Sequence, residues 1–128
     1  MDTPPLRAII VDDDLTVSRL MWRCLSMLGW GADECHSVSE ALGRFKNGEY
    51  DLALCDVDLP DGNGIILAKA LSKAKPSLRV VVISGNPMNA EHAREAGLTR
   101  FLRKPFELDA LKALIDSQQY SINKPLRQ

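Results

Sequence analysis

Leu52-Ala53-Leu54-Cys55-Asp56 is a run of four apolar residues closed by a carboxylate, and Pro60-Asp61-Gly62-Asn63-Gly64 follows as dense turn chemistry before Ile65 to Ser72 resumes helical spacing. A short apolar run bounded by turn residues fits a strand buried on both faces, as in a parallel sheet covered by helices. The same strand, loop, helix phrase recurs on either side. Upstream, Leu6-Arg7-Ala8-Ile9-Ile10-Val11 ends abruptly in Asp12-Asp13-Asp14, and Val17, Leu20, Met21, Cys24, Leu25 and Leu28 then repeat with helical spacing. Asp14 can cap that helix and Gly29 can end it. Trp30 to Cys35 reads as a weaker strand. Ser37-Val38-Ser39-Glu40 is a capping box for a helix carrying Ala41, Leu42 and Phe45, stopped by Asn47-Gly48. Downstream, Val80-Val81-Val82-Ile83 is the strongest strand and runs into Ser84-Gly85-Asn86-Pro87. A short helix from Met88 to Ala96 closes at Gly97, Arg100 to Arg103 forms a last strand before Lys104-Pro105, and Leu108, Leu111, Leu114 and Ile115 stripe a final helix.

Five such units in series need crossover connections, which predicts an α/β domain with a parallel sheet and helices on both faces. The chain has 128 residues, 16 Lys+Arg against 17 Asp+Glu, and a formal net charge of -1. At this length roughly two-thirds of the unfolded surface is buried on folding, enough for one core without metal or disulfide support. The expected organisation is an N-terminal tail over residues 1–5, one domain over 6–116 and a C-terminal tail over 117–128. Mixed charge gives no broad positive field, so direct nucleic-acid binding by this segment is not expected. No run approaches the ~18 apolar residues of a membrane span. Met1-Asp2-Thr3-Pro4-Pro5 lacks the basic-then-apolar order of a signal peptide, so the expected address is cytoplasmic. Cys24, Cys35 and Cys55 are an odd count without a Cys-x-x-Cys spacing and read as buried reduced thiols. His36 and His92 are too far apart to suggest a zinc pair, and surface or edge positions are expected.

Open parallel sheets place ligands at the carboxyl ends of their strands. Here those ends carry Asp12 and Asp13, Asp56 and Asp58, Ser84, and Lys104. One aspartate after a strand is ordinarily a turn former or helix cap, and Asp14 is assigned that role. Acids, a hydroxyl and a lysine arriving together from four strand ends ask for a different account. Clustered carboxylates repel unless a cation is present, and oxygen-only ligands favour a hard ion such as Mg²⁺. Lys104 and Ser84 suit phosphoryl oxygens, and a carboxylate among them could be the nucleophile, as in aspartyl phosphate formation.

These residues resemble the receiver domain of two-component response regulators, over about Leu6 to Ile115. Ile9-Ile10-Val11-Asp12-Asp13 is similar to the acidic pair after the first strand of that family. Asp51 to Asp56 resembles the strand that delivers the phosphoacceptor, Pro60 and Gly64 match the proline and glycine after it, Ser84 matches the conserved hydroxyl, and Lys104-Pro105-Phe106 matches the lysine-proline-phenylalanine signature, usually with a cis bond. The resemblance implies a flavodoxin-like three-layer (βα)5 domain with a five-stranded sheet in the order 2-1-3-4-5. It implies that Asp56 takes a phosphoryl group from a sensor histidine kinase or a phosphotransfer protein. Mg²⁺ would be bound by Asp13, Asp56 and the backbone carbonyl of Asp58, with Asp12 acting through water or by pairing with Lys104. The chemistry would be self-modification, not turnover of a substrate. Ser84 and the aromatic position Phe101 would be the switch residues. Phe101 lacks the hydroxyl of the commoner Tyr, Leu98-Thr99-Arg100 departs from the family's small residue and acids, and Asp58 adds a charge two residues past the acceptor that could change phosphoryl lifetime.

Two alternatives remain at this point. Asp56-Val57-Asp58 also resembles the Asp-x-Asp of haloacid-dehalogenase-type phosphatases, although there the acidic pair comes late in the chain and here it comes first. A docking scaffold that is never phosphorylated is the other. The cognate kinase, the output partner and the oligomeric state stay open, and the twelve residues after Asp116 are too few for an effector domain. The regulator would therefore act by protein contact alone or be part of a longer chain.

Overall fold

The computed structural model describes the backbone of residues 6–47 and 49–123. In chain order the elements are β1 (Arg7–Val11), α1 (Leu15–Met27), β2 (Gly31–Cys35), α2 (Val38–Asn47), β3 (Leu52–Asp56), β4 (Asp58–Leu59), β5 (Gly62–Asn63), α3 (Gly64–Ala74), β6 (Arg79–Ser84), α4 (Met88–Glu95), β7 (Phe101–Arg103) and α5 (Leu108–Asn123). Five strands pair in parallel in the order β2-β1-β3-β6-β7. With the two-residue strands β4 and β5 set aside, which pair with each other, this is the 2-1-3-4-5 order of a flavodoxin-like (βα)5 domain.

Side-chain alternation along the strands divides the core in two. Ile9, Val11, Ala53, Cys55, Val80 and Val82 face one way and pack with Ala41 of α2, Leu67, Ala68 and Leu71 of α3, and Ala93 of α4. Ala8, Ile10, Leu52, Leu54, Val81 and Ile83 face the other way and pack with Met21, Cys24 and Leu25 of α1 and Leu111 and Ile115 of α5. β3 is buried over its whole length. That explains why it reads as an uninterrupted apolar run. β2 lies at the sheet edge and is half-buried over most of its length, hence its weaker pattern. All three cysteines are buried free thiols, and His92 is exposed while His36 is half-buried.

The helix ends show local chemistry. The Asp14 carboxylate accepts from the backbone N–H groups of Thr16 and Val17 and so caps α1. Gly29 and Gly97 take positive φ just past α1 and α4, a conformation that favours glycine. At α2 the expected capping box is only half formed. Ser37 Oγ accepts from Glu40 N–H, but the Glu40 carboxylate accepts from His36 N–H rather than from Ser37. Asp61, from the distant β4–β5 turn, accepts from both Val38 and Ser39 N–H. Those backbone hydrogen bonds hold its carboxyl below the usual carboxylate range. The expected Gly48 stop lies outside the described residues.

The last helix runs on beyond the expected domain boundary. α5 continues to Asn123, past the residue 116 at which a tail was expected to begin. The polar stretch Ser117-Gln118-Gln119 contains no Gly or Pro, so nothing local interrupts helical backbone there. Among the described residues no helix is long and apolar enough to cross a membrane.

Candidate functional site

Each acid reaches the rim because a strand ends there. Asp12 follows β1 directly, and its backbone N–H donates to Cys35 O of β2 at 3.0 Å. Its Oδ1 accepts from Asp14 N–H at 2.9 Å, so one carboxylate oxygen shapes the turn into α1. Asp56 is the last residue of β3, opposite Ile83 of β6. Lys104 follows β7, and its backbone N–H donates to Ser84 O at 2.9 Å, tying the ends of β6 and β7. The Lys104–Pro105 peptide is cis.

Four sequence-predicted residues converge. Lys104 Nζ lies 2.9 Å from Asp12 Oδ2 and 3.0 Å from Asp56 Oδ1. Carboxylate oxygens of Asp12, Asp13 and Asp56 all fall within 4.8 Å of one another. Their surroundings differ. The Asp12 side chain is fully enclosed, Asp56 keeps 8% of its side-chain surface accessible, and Asp13 is exposed. Burial pushes the Asp56 carboxyl up to about 6, with the charges of Asp12 and Asp13 adding to the rise and Lys104 opposing it. Burial would depress the Lys104 ammonium, but the adjacent carboxylates of Asp12 and Asp56 outweigh that and hold it above its ordinary value.

A divalent cation fits this donor set. Three carboxylates face one ammonium, an excess of two negative charges in a half-buried space. Lys104 approaches Asp12 Oδ2 off a hydrogen-bonding direction, which leaves that buried oxygen without a hydrogen bond. Clustered oxygen donors with an unspent lone pair suit a small hard ion.

The other predicted residues stand apart from this cluster. The exposed Asp58 lies in β4, paired with Asn63, and its carboxylate is not among the clustered oxygens. The Asp56/Asp58 pairing of the phosphatase alternative therefore finds no support in the geometry. Ser84 is fully buried at the end of β6, and its Oγ is taken up by the following loop and α4, accepting from Asn86 N–H at 3.0 Å and from Asn89 Nδ2 at 2.9 Å. Phe101 opens β7 opposite Val82 and packs, half-buried, against the α2–α3–α4 side of the core.

One contributor, Asn89, escaped the sequence reading, and another, Gly64, was marked there only by its match to the family's glycine. Asn89 reaches Ser84 from inside α4, with no turn signal to mark it. Gly64 lets α3 start against the end of β3: its N–H donates to Val57 O at 2.7 Å, and a Cβ placed there would lie 1.8 Å from Asp56 O.

Comparison with known proteins agrees with this geometry. Residues 8–116 match the family described as response regulator receiver domain. The response regulator protein PilR of Pseudomonas aeruginosa is 32% identical over 111 residues, covering 85% of this chain and 25% of PilR. The aerobic respiration control sensor protein ArcB of Escherichia coli is 33% identical over 122 residues, covering 90% of this chain and 15% of ArcB. The chain thus spans a quarter or less of either relative. Among solved structures, the response regulator protein TrrA of Thermotoga maritima in complex with Mg²⁺-BeF superposes with a TM-score of 0.79 at 25% identity, covering 88% of this chain and 97% of that one. The match to the family reaches from β1 into α5 and takes in every strand end that carries the acids, the serine and the lysine, and on that ground the chain belongs to the response regulator receiver domain family.

Proposed function

We propose that Asp56 is the phosphoacceptor, taking a phosphoryl group from the phosphohistidine of a sensor histidine kinase or a phosphotransfer protein in a Mg²⁺-dependent reaction. The observation that carries this reading is the contrast between the two carboxylates that share Lys104. Asp12 is sealed, whereas Asp56 retains accessible surface. Only Asp56 combines restraint by the ammonium with access for a reactant.

An Asp56 oxygen attacks phosphorus, the P–N bond to imidazole breaks as the P–O bond forms, and the leaving imidazole nitrogen takes up a proton. With its carboxyl at about 6, Asp56 is largely ionised at neutral pH and available as a nucleophile. Lys104, beside Oδ1, offsets negative charge on the transferring group. Asp13, Asp56 and the Asp58 backbone carbonyl would hold Mg²⁺, with Asp12 acting through water. When bound, the ion supplies charge neutralisation to phosphoryl oxygens. Ser84 would donate its hydroxyl proton to the new phosphoryl group, and Phe101 would change rotamer with it. Hydrolysis by water then returns the carboxylate and inorganic phosphate, so the domain modifies only itself.

ArcB is named as a sensor protein and PilR as a response regulator protein, so this kind of domain serves on both sides of a phosphotransfer. For this chain we infer a protein output partner, without direct nucleic-acid contact by the segment. Three buried reduced thiols support a cytosolic setting. The test is intact-mass analysis after exposure to acetyl phosphate with Mg²⁺. One added phosphoryl group on the parent, absent from Asp56→Asn, is the expected result. No mass gain on the parent would favour the docking-scaffold alternative.

A further inference from the structure

We propose that Asn89 is a positioning residue that restrains the Ser84 hydroxyl, so that releasing this bond is part of engaging a phosphoryl group on Asp56. The proposal rests on the reading of Asp56 as phosphoacceptor and adds to it a control element in α4.

A serine hydroxyl has two acceptor lone pairs and one proton. In Ser84 both lone pairs are used, by Asn86 N–H at 3.0 Å and by Asn89 Nδ2 at 2.9 Å. The proton faces Asn86 O at 3.4 Å, a long and weak contact. Acceptor capacity is saturated while donor capacity is nearly unspent. A phosphoryl group presents only acceptor oxygens, about two negative charges' worth. Ser84 sits one residue past Ile83, the register partner of Asp56. A charge-assisted bond from its hydroxyl is stronger than a neutral one, but donating it there requires the hydroxyl to turn away from Asn86 and Asn89.

The two donors are not equivalent. Asn86 N–H belongs to the same loop, two residues on, and can follow Ser84. Asn89 lies within α4 (Met88–Glu95), so its bond joins the hydroxyl to a separate element. The Asn89 amide is itself oriented: His92 Nδ1 lies 3.2 Å from Asn89 Oδ1. Because Oδ1 only accepts, Nδ1 carries the proton in that contact, and the amide NH₂ is left facing Ser84. A chain of side chains thus runs from the buried hydroxyl to exposed His92. Among the described residues of α4, only Ala93 is buried, so the helix is lightly anchored to the core. Whatever draws Ser84 toward Asp56 breaks its tie to α4, and by linkage whatever repositions α4 alters the response of Ser84 to phosphorylation.

The experiment titrates Mg²⁺ with beryllofluoride, a phosphoryl mimic, into the full chain and follows ¹H–¹⁵N spectra of the parent, Asn89→Ala and Asp56→Asn. Asn89→Ala should bind the mimic about fivefold more tightly, since one neutral hydrogen bond is lost from the free state alone. In the parent, the Asn89 side-chain amide resonance should move on binding, which a purely structural role would not require. Equal or weaker binding by a folded Asn89→Ala overturns the proposal. Should that variant not fold, the parent's Asn89 amide resonance decides: movement upholds the restraint and invariance overturns it. If the parent shows no Asp56-dependent binding, the phosphoacceptor reading itself fails and the restraint with it. Normal parent binding with Asn89→Ala unchanged removes the restraint alone.

Discussion

The backbone of Gly64 lies against that of Asp56 so closely that a Cβ on Gly64 would sit 1.8 Å from the Asp56 carbonyl oxygen and 2.7 Å from its carbonyl carbon. Backbone cannot yield as a flexible side chain can. Gly64→Ala must therefore displace either the start of α3 or the end of β3, where Asp56 is held. Overpacking of this kind costs about 3 kcal/mol or more, and we expect a clear drop in urea midpoint together with slower phosphorylation by acetyl phosphate. Parent-like stability in Gly64→Ala would show that the contact is readily relieved.

Asp56 should make folding stability depend on pH with an unusual sign. Its native value of about 6 lies above the 3.8 of an unperturbed carboxyl, so between these values the native state binds more protons than the unfolded one. Its contribution therefore declines as pH rises through that window, and the full cost of holding the ionised group is present above pH 6. Asp56→Asn removes it. In metal-free buffer the variant should exceed the parent by roughly 2 kcal/mol at pH 7.5, with the difference shrinking toward pH 4. Urea titrations across that range measure it, and a difference independent of pH would contradict the assignment.

Lys104→Ala should be harmful in two separable ways. It leaves Asp12 and Asp56 facing each other unpaired, and removing one partner of a buried ion pair costs on the order of 3 kcal/mol. It also removes the cation beside Oδ1, for which we expect about a 10²-fold loss in phosphorylation rate. Adding Mg²⁺ should recover part of the stability, because the ion replaces some of the missing positive charge, but not the full rate. A variant as reactive as the parent would remove Lys104 from the chemistry.

Much of this site was legible because the fold aligns strand ends. Uninterrupted runs in β3 and β6, buried on both faces, left little doubt about where Asp56 and Ser84 would emerge. The weak reading of β2 has a physical cause: on the edge strand, Asp33 is held by Arg7, Arg44 and Tyr50, and Glu34 by Ser18 and Arg19. Those ion pairs and hydrogen bonds replace the apolar alternation that a strand signal needs. Asp61 capping α2 from more than twenty residues away leaves no trace in local spacing. Neither does Asn89, whose role depends on which way one turn of α4 faces. The β4–β5 pairing was hidden for a different reason, since two residues per strand are too few to display a period.

Mg²⁺ binding should be visible without any phosphodonor. Asp12, Asp13 and Asp56 together overcompensate Lys104, and a cation that binds only the native arrangement stabilises it by mass action, about 2.7 kcal/mol at a concentration one hundred times the dissociation constant. Thermal unfolding of the parent should shift upward with Mg²⁺. Asp13 is exposed, so Asp13→Asn should fold normally yet lose most of that shift. An equal shift in parent and variant would place the ion elsewhere.

Asp58 offers the sharpest test of how long the phosphoryl group survives. Its carboxylate is exposed on β4, two residues past Asp56, outside the cluster but on the chain segment that leaves β3. A carboxylate there can accept a proton from an approaching water and raise its nucleophilicity, as a general base does, whereas an amide of the same shape cannot. Asp58→Asn should therefore keep the fold and the capacity for phosphorylation while extending the phosphoryl lifetime several-fold, followed as the decay of the phosphorylated mass once the donor is removed. The same substitution reduces negative charge near the metal donors, so Mg²⁺ affinity has to be measured beside it. A longer lifetime at saturating Mg²⁺ assigns the effect to water, and a difference that vanishes at saturation assigns it to the ion. An unchanged decay under both conditions would leave Asp58 without a part in dephosphorylation.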